Sequence, residues 1–183
     1  NMPTQNITVD AVTQYESGFD VNPSACLSNA SDGNLATTFS NNVANQTLTF
    51  DMEDPSDYAV LANAAAITGI KVSVTFASGG KGAGSLTVKL TNGAEEPEDL
   101  QSDNFSESST SQANSVGTEY DASSNTDAEL NAMQIVLIGT NNAVNVVSHV
   151  GAVISYTAAA VAGAGEVTMS LGALKMSTGE ITI

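Results

Sequence analysis

The chain has 183 residues, 42% of them hydrophobic, and sets 20 acidic residues against four lysines and no arginine, for a net charge of −16. That length holds one domain with a sizeable core, with no need of a disulfide that the single Cys26 could not form within the chain. A phosphate-binding surface needs clustered Lys and Arg, so nucleic acid is excluded as a partner, and an anionic bilayer would repel the chain.

The hydrophobic content is mostly Ala and Val, with 5% aromatics and no Trp. Small and β-branched residues suit tightly packed sheets better than a thick helical core. Alternation over Asn6 to Tyr15 predicts a first strand, followed by a loop over Val21 to Asn45 with a turn at Ser31-Asp32-Gly33-Asn34. Gln46 to Met52 places Leu48, Phe50 and Met52 on one face. Tyr58 to Ala66 has room for one or two helical turns. Ile67 to Ala77 is the clearest strand, with Ile70, Val72, Val74 and Phe76 facing one way and Lys71, Ser73 and Thr75 the other. A Gly-rich turn over 78–84 leads into Ser85 to Thr91, with Leu86, Val88 and Leu90 inward, and the two strands read as a hairpin.

From Asn92 to Asp127 the composition turns polar. This reads as a surface excursion with at most short strands around Phe105 and Val116 to Tyr120. Strands resume at Ala132 to Ile138 and Ala143 to Tyr156, the second needing a bulge near Gly151 to keep its register. The tail begins with small residues over 158–165, a reach of about 25 Å if extended. It continues with Val167, Met169, Leu171, Leu174, Met176, Ile181 and Ile183, too many sizeable apolar residues for a solvated end. These seven are the expected assembly interface, because an unpaired strand satisfies its backbone on a neighbour's sheet edge. The alternative for this tail is a C-terminal hairpin on its own domain.

Groups able to do chemistry are few. One His and one Cys cannot build a zinc site, and there is no nucleophile elbow, phosphate loop or dinucleotide fingerprint. His149 reads as a structural or surface residue, and Cys26 as a small buried hydrophobe. No cofactor is required. Calcium is the one ion the composition admits, through the oxygen-rich turn of Asp32 and Asn34, with Asp51, Glu53, Asp54 and Asp57 as a second acidic cluster. Both groups also read as solvated turns, and Glu95 to Asp99 as a charged loop.

Several stretches carry a family resemblance: Asn29-Ala-Ser-Asp-Gly-Asn-Leu-Ala-Thr37, the Leu48 to Phe50 strand, Ala66-Ile-Thr-Gly-Ile-Lys-Val-Ser-Val74, and a Val-rich strand closing at Tyr156. In this order they resemble the jelly-roll domains of tailed-phage virion structural proteins, of capsid decoration or fibre type. The Asp-Gly turn is also similar to the opening of discoidin-like carbohydrate-binding sandwiches.

The expected fold is all-β: an antiparallel, jelly-roll-like β-sandwich of six to nine strands over 1–157, then a small-residue linker and strand-forming arm over 158–183. The resemblance implies a non-enzymatic virion protein, a capsid decoration or small head or tail fibre component that assembles with other virion proteins or copies of itself as a homo-oligomer. Two alternatives stay open. One is a calcium-dependent carbohydrate-binding or adhesive module of a secreted or cell-surface protein, with a host-surface glycan as partner. The other is an extracellular filament subunit joined by strand exchange.

Overall fold

The computed structural model describes residues 2–41, 43–80, 82–94, 97–140 and 144–160. The fold is an antiparallel β-sandwich. Its strands are β1 (Thr4–Tyr15), β2 (Phe39–Asn41), β3 (Thr47–Met52), β4 (Ala64–Ser78), β5 (Gly84–Thr91), β6 (Asp99–Glu107), β7 (Ala113–Val116), β8 (Tyr120–Asp121), β9 (Gln134–Gly139) and β10 (Asn145–Ala158). Short helices α1 (Pro23–Ser31), α2 (Ala59–Ala62) and α3 (Asp127–Asn131) lie between them.

In the first sheet, β10 pairs with β4, and β4 with β7 and β8. The other edge of β10 takes β2 and the first half of β1. The second sheet runs β6, β5, β9, β3 and the second half of β1. So β1 edges both sheets: Thr4 to Thr8 pair with β10, and Val9 to Tyr15 with β3. Register shifts at Val9/Ala11 and Val12/Gln14 turn the strand from one layer to the other, as an unpaired extra residue does. Glu53 pins the crossing: its carboxylate accepts the Thr8 N–H at 3.1 Å, and its own N–H donates to the Thr8 carbonyl at 3.0 Å.

The period-two patterns meet in one core. Ile70, Val72, Val74 and Phe76 of the first sheet pack with Leu48, Phe50, Leu86, Val88, Leu90, Ile135 and Leu137 of the second, all almost fully buried. Tyr15, Phe19, Phe39 and Phe50 form a chain of tilted rings with centroids 6.0–6.1 Å apart, closing one end.

Four expectations need correction. First, β4 and β5 are no hairpin. They lie in opposite sheets, and the turn between them crosses the sandwich. Alternation tells which face is buried and not which strand is the neighbour. Second, the expected loop over Val21 to Asn45 holds α1 and β2. Asn22 caps α1, its side chain accepting the Ala25 N–H at 3.0 Å, and Pro23 opens the first turn. Cys26 and Ala30, four apart, are the helix's buried stripe, so Cys26 is the buried small residue expected of it.

Third, the polar stretch after Asn92 contributes β6, a nine-residue strand paired along the length of β5. Its inward positions are only partly apolar because it is an edge, so its composition hid it. Fourth, the register shifts in β10 fall at Val147/His149, Ser155/Tyr156 and Thr157/Ala158, and Gly151 stays in register between Ser73 and Thr8. A side chain at 151 would bring Cβ within 2.4 Å of the Ile7 carbonyl, so glycine lets β1 close on β10. The arm residues Val167 to Ile183 lie outside the described residues, of which the last strand, β10, runs to Ala158.

Candidate functional site

Each sheet has an outer face, and that of the second sheet carries a groove. Alternation sets its floor: with Ile135, Leu137, Leu90 and Phe50 turned inward, Gln134, Val136, Ile138, Thr91, Lys89 and Thr49 turn outward. The shift at Val12/Gln14 presents Thr13 and Gln14 beside them. One wall is the connection from β5 to β6, with Gly93, Ala94, Pro97 and Asp99 lining the groove.

That wall is braced from within. The Asn92 side-chain oxygen accepts the N–H groups of Ala94 at 3.2 Å and Glu98 at 3.0 Å, while the Asn92 N–H donates to the Glu98 carbonyl. Gly93 has φ +64 and lies so close to the Ala132 carbonyl that a Cβ would sit 1.7 Å from its oxygen. Only glycine tolerates both constraints. Of the stretch read as a charged loop, Pro97 and Asp99 line the groove, and Glu95 and Glu96 lie outside the described residues.

The groove's polar groups are oriented. Gln14 accepts the Thr49 hydroxyl at 3.4 Å through its side-chain carbonyl, which turns its NH2 away from that contact. Gln134 donates to Asp51, which leaves its carbonyl as an acceptor. Burial raises the Asp51 pKa first and Asp10 and Asp54 raise it further, against that hydrogen bond. Lys89 Nζ meets Asp99 Oδ2 at 2.6 Å. Thr91 is 2% exposed, and its hydroxyl has no hydrogen-bond partner, a cost of about 1–3 kcal/mol for a buried polar group. Val136 and Ile138 supply an aliphatic patch among these groups. The set offers donors, acceptors and a small apolar surface, and no nucleophile paired with a base.

Other sequence-derived candidates lie elsewhere. Asp32 caps the end of α1 and spends its carboxylate on its own loop: Oδ1 accepts the Asn34 N–H at 2.8 Å, and Oδ2 accepts the Thr37 hydroxyl at 2.5 Å. These bonds hold its pKa below the usual carboxylate value. The Asn34 side-chain oxygen accepts the Ala36 N–H at 3.0 Å. In the acidic cluster, Glu53 is bound to Thr8 and accepts the Tyr58 hydroxyl. Asp10 joins it, its pKa raised by burial and then by Asp54, Glu53 and Asp57. Among the described residues no group of three or more His, Cys, Asp or Glu is placed to hold a metal ion. His149 is half-buried on the outer face of the first sheet, and the Ser148 hydroxyl turns to Gln112 and the Thr75 carbonyl.

None of the groove residues stands out as a site in the sequence alone. Lys89, Thr91, Gln134 and Val136 were visible as outward positions of alternating strands, but nothing local marked them as a set. The chain brings them together only by placing β9 between β5 and β3.

No protein-family model matches the chain, and no curated protein matches it in sequence. Among solved structures it is similar to a truncated AlyQ with CBM32 and alginate lyase domains, at 18% identity over 87% of this chain and 35% of that one, with a TM-score of 0.49. It thus spans about a third of that protein's length. It is also similar to the CBM36-1 domain of a multidomain xylanase from the hindgut metagenome of Trinervitermes trinervoides, at 11% identity over 87% of this chain and all of that one, with a TM-score of 0.47. A third is the CBM22-1 xylan-binding domain of Xyn10C from Paenibacillus barcinonensis, at 11% identity over 87% and 97% of the chains, with a TM-score of 0.43.

Proposed function

We propose that the chain is a non-catalytic carbohydrate-binding module whose ligand lies in the groove on the second sheet. The observation that carries this reading is the groove's floor, with the oriented amides of Gln14 and Gln134 beside the Lys89–Asp99 pair. Such a floor suits a ligand with many hydroxyls, each both donor and acceptor, and Val136 and Ile138 suit the C–H face of a sugar ring. The net charge of −16 repels polyanions, so the ligand class is a neutral glycan. No aromatic ring lines the groove, so there is no stacking platform. Affinity rests on hydrogen bonds and lies on the order of 0.1–1 mM, about 5 kcal/mol. Such a module works where glycans are, on a secreted or cell-surface protein. The virion expectation draws no support from the geometry of the groove, and the arm on which it placed assembly lies outside the described residues.

Affinity electrophoresis through gels loaded with neutral polysaccharides (xylan, mixed-linkage glucan, galactomannan) or polyanionic ones (alginate, pectate) tests this. Retardation by at least one neutral polymer, lost when Gln14→Ala and Gln134→Ala are combined, is expected. Retardation by polyanions alone, by nothing, or unchanged in that double variant contradicts the reading.

A further inference from the structure

The outer face of the first sheet holds a smaller cavity of about 300 Å³, at the low end for a small-molecule site. Its polar groups have fixed polarity. The Asn114 side-chain oxygen accepts two hydroxyls, Ser73 at 2.9 Å and Thr75 at 3.2 Å. Both hydroxyl residues are less than a tenth exposed, so the Asn114 oxygen is held down on the sheet and its NH2 is left as the donor.

His149 supplies the opposite. Its ring hydrogen-bonds the backbone of Ala30, and that bond raises the histidine pKa, so the ring is the donor there. Burial outweighs this and keeps the imidazole neutral, which makes the other ring nitrogen an acceptor. The ring lies over Gly151, where a Cβ would come within 3.2 Å of Nε2.

His149, Thr75 and Asn114 are register partners across β10, β4 and β7. Two strand spacings separate the donor's and the acceptor's backbones by about 9.6 Å. A trans amide with one hydrogen bond at each end spans about 8 Å, which falls within that backbone separation. Leu35, 56% exposed on the loop after α1, and Val153 border the same cavity and give it an apolar margin.

We propose that this face is a second site, which takes the acetamido group of an N-acetylhexosamine. The ligand carbonyl accepts from the Asn114 NH2, its N–H donates to the free His149 nitrogen, and its methyl packs between Leu35 and Val153. The site is distinct from the groove on the second sheet and does not depend on it.

The test is a 1H–15N titration of the full chain with di-N-acetylchitobiose, with cellobiose and N-acetylalanine methylamide as matched probes. The expected result is shift changes at the Asn114 side-chain amide, His149 and Leu35 with chitobiose only, weakened at least tenfold in Asn114→Asp. The same spectra report whether that variant is folded. If it is not, Leu35→Asp on the exposed loop is the substitute, with the same expected loss. An equal response to cellobiose, changes at Gln14 and Gln134 alone, or a response to the peptide amide matching that to the sugar would overturn the proposal. Because the two faces report through different residues, failure here is distinguishable from failure of the groove.

Discussion

The two outer faces of the sandwich are made by the same alternation of inward apolar and outward polar residues, yet they are finished differently. The second sheet's groove is walled by Gly93, Ala94 and Pro97, and its floor mixes Gln, Thr and one ion pair. The first sheet's cavity is overhung by the loop after α1, and its floor is a locked Asn114 between two hydroxyls and a neutral His149. The strands supply two polar platforms, and the connections decide what each can hold.

The largest expected effect is the one that destroys both faces together. Val74 is fully buried in the shared core, so Val74→Asp leaves an unpaired carboxylate there at a cost of several kcal/mol, comparable to the whole stability of a domain. Thermal unfolding should show no cooperative transition. A parent-like melt would mean that the faces do not rest on one core.

The next pair separates the faces. Gly151→Ala forces Cβ against the Ile7 carbonyl at 2.4 Å, in the middle of the first sheet, and should cost about 2–4 kcal/mol as β1 is pushed from β10. Gly93→Ala clashes with the Ala132 carbonyl at φ +64, but in a surface wall. It should cost about 1–3 kcal/mol and remove glycan retardation while leaving the first face intact. Denaturant melts of the two variants, each with a glycan gel, decide whether the damage is local as stated.

These positions also show what could be read from sequence. The strand faces were legible because burial on one side enforces period two, and Ile70 to Phe76 and Leu86 to Leu90 are buried as the pattern requires. Partnership was not legible: the turn over 78–84 looks like a hairpin turn and is a crossing between sheets. Helix α1 left a signal in Asn22-Pro23 that the polar composition around it obscured. The groove left none, since Gln14, Thr91 and Gln134 are far apart in the chain and ordinary in their strands. The Asp-Gly turn was legible as a turn, and the bonds that occupy the Asp32 oxygens follow only from the fold.

Acid separates the faces with opposite signs. Burial lowers the His149 pKa from 6.5, and the hydrogen bond with the Ala30 backbone and then the nearby Asp32 only partly offset this. The folded state therefore favours the neutral ring, and this contribution is complete above pH 6.5 and is lost as pH falls through the lowered value. On the second sheet, Asp10 and Asp51 have raised pKa values, mainly through burial and then through neighbouring carboxylates. Their contribution is present below pH 3.8 and is lost as pH rises through the raised values. Melting temperature followed against pH should thus fall less on acidification in His149→Phe than in the parent. Asp51→Asn should flatten the opposite limb. Parallel profiles for all three proteins would contradict the assignment.

The smallest expected effect concerns calcium. With the Asp32 oxygens bound within their own loop, a chelator should leave the melting temperature and the glycan retardation unchanged. A fall in melting temperature that Asp32→Ala abolishes would instead make that turn an ion site.

The proposal on which the groove variants rest is that a neutral glycan binds across the second sheet. The most direct measurement is a chemical-shift map of the full chain titrated with a neutral oligosaccharide from whichever polymer retards it. The side-chain amides of Gln14 and Gln134 and the backbone amides of Lys89, Thr91 and Val136 should move together along one saturation curve in the range of roughly 0.1–1 mM. Saturable shifts confined to other surfaces, or no saturation at tens of millimolar, roughly −2 to −3 kcal/mol of binding, would contradict it.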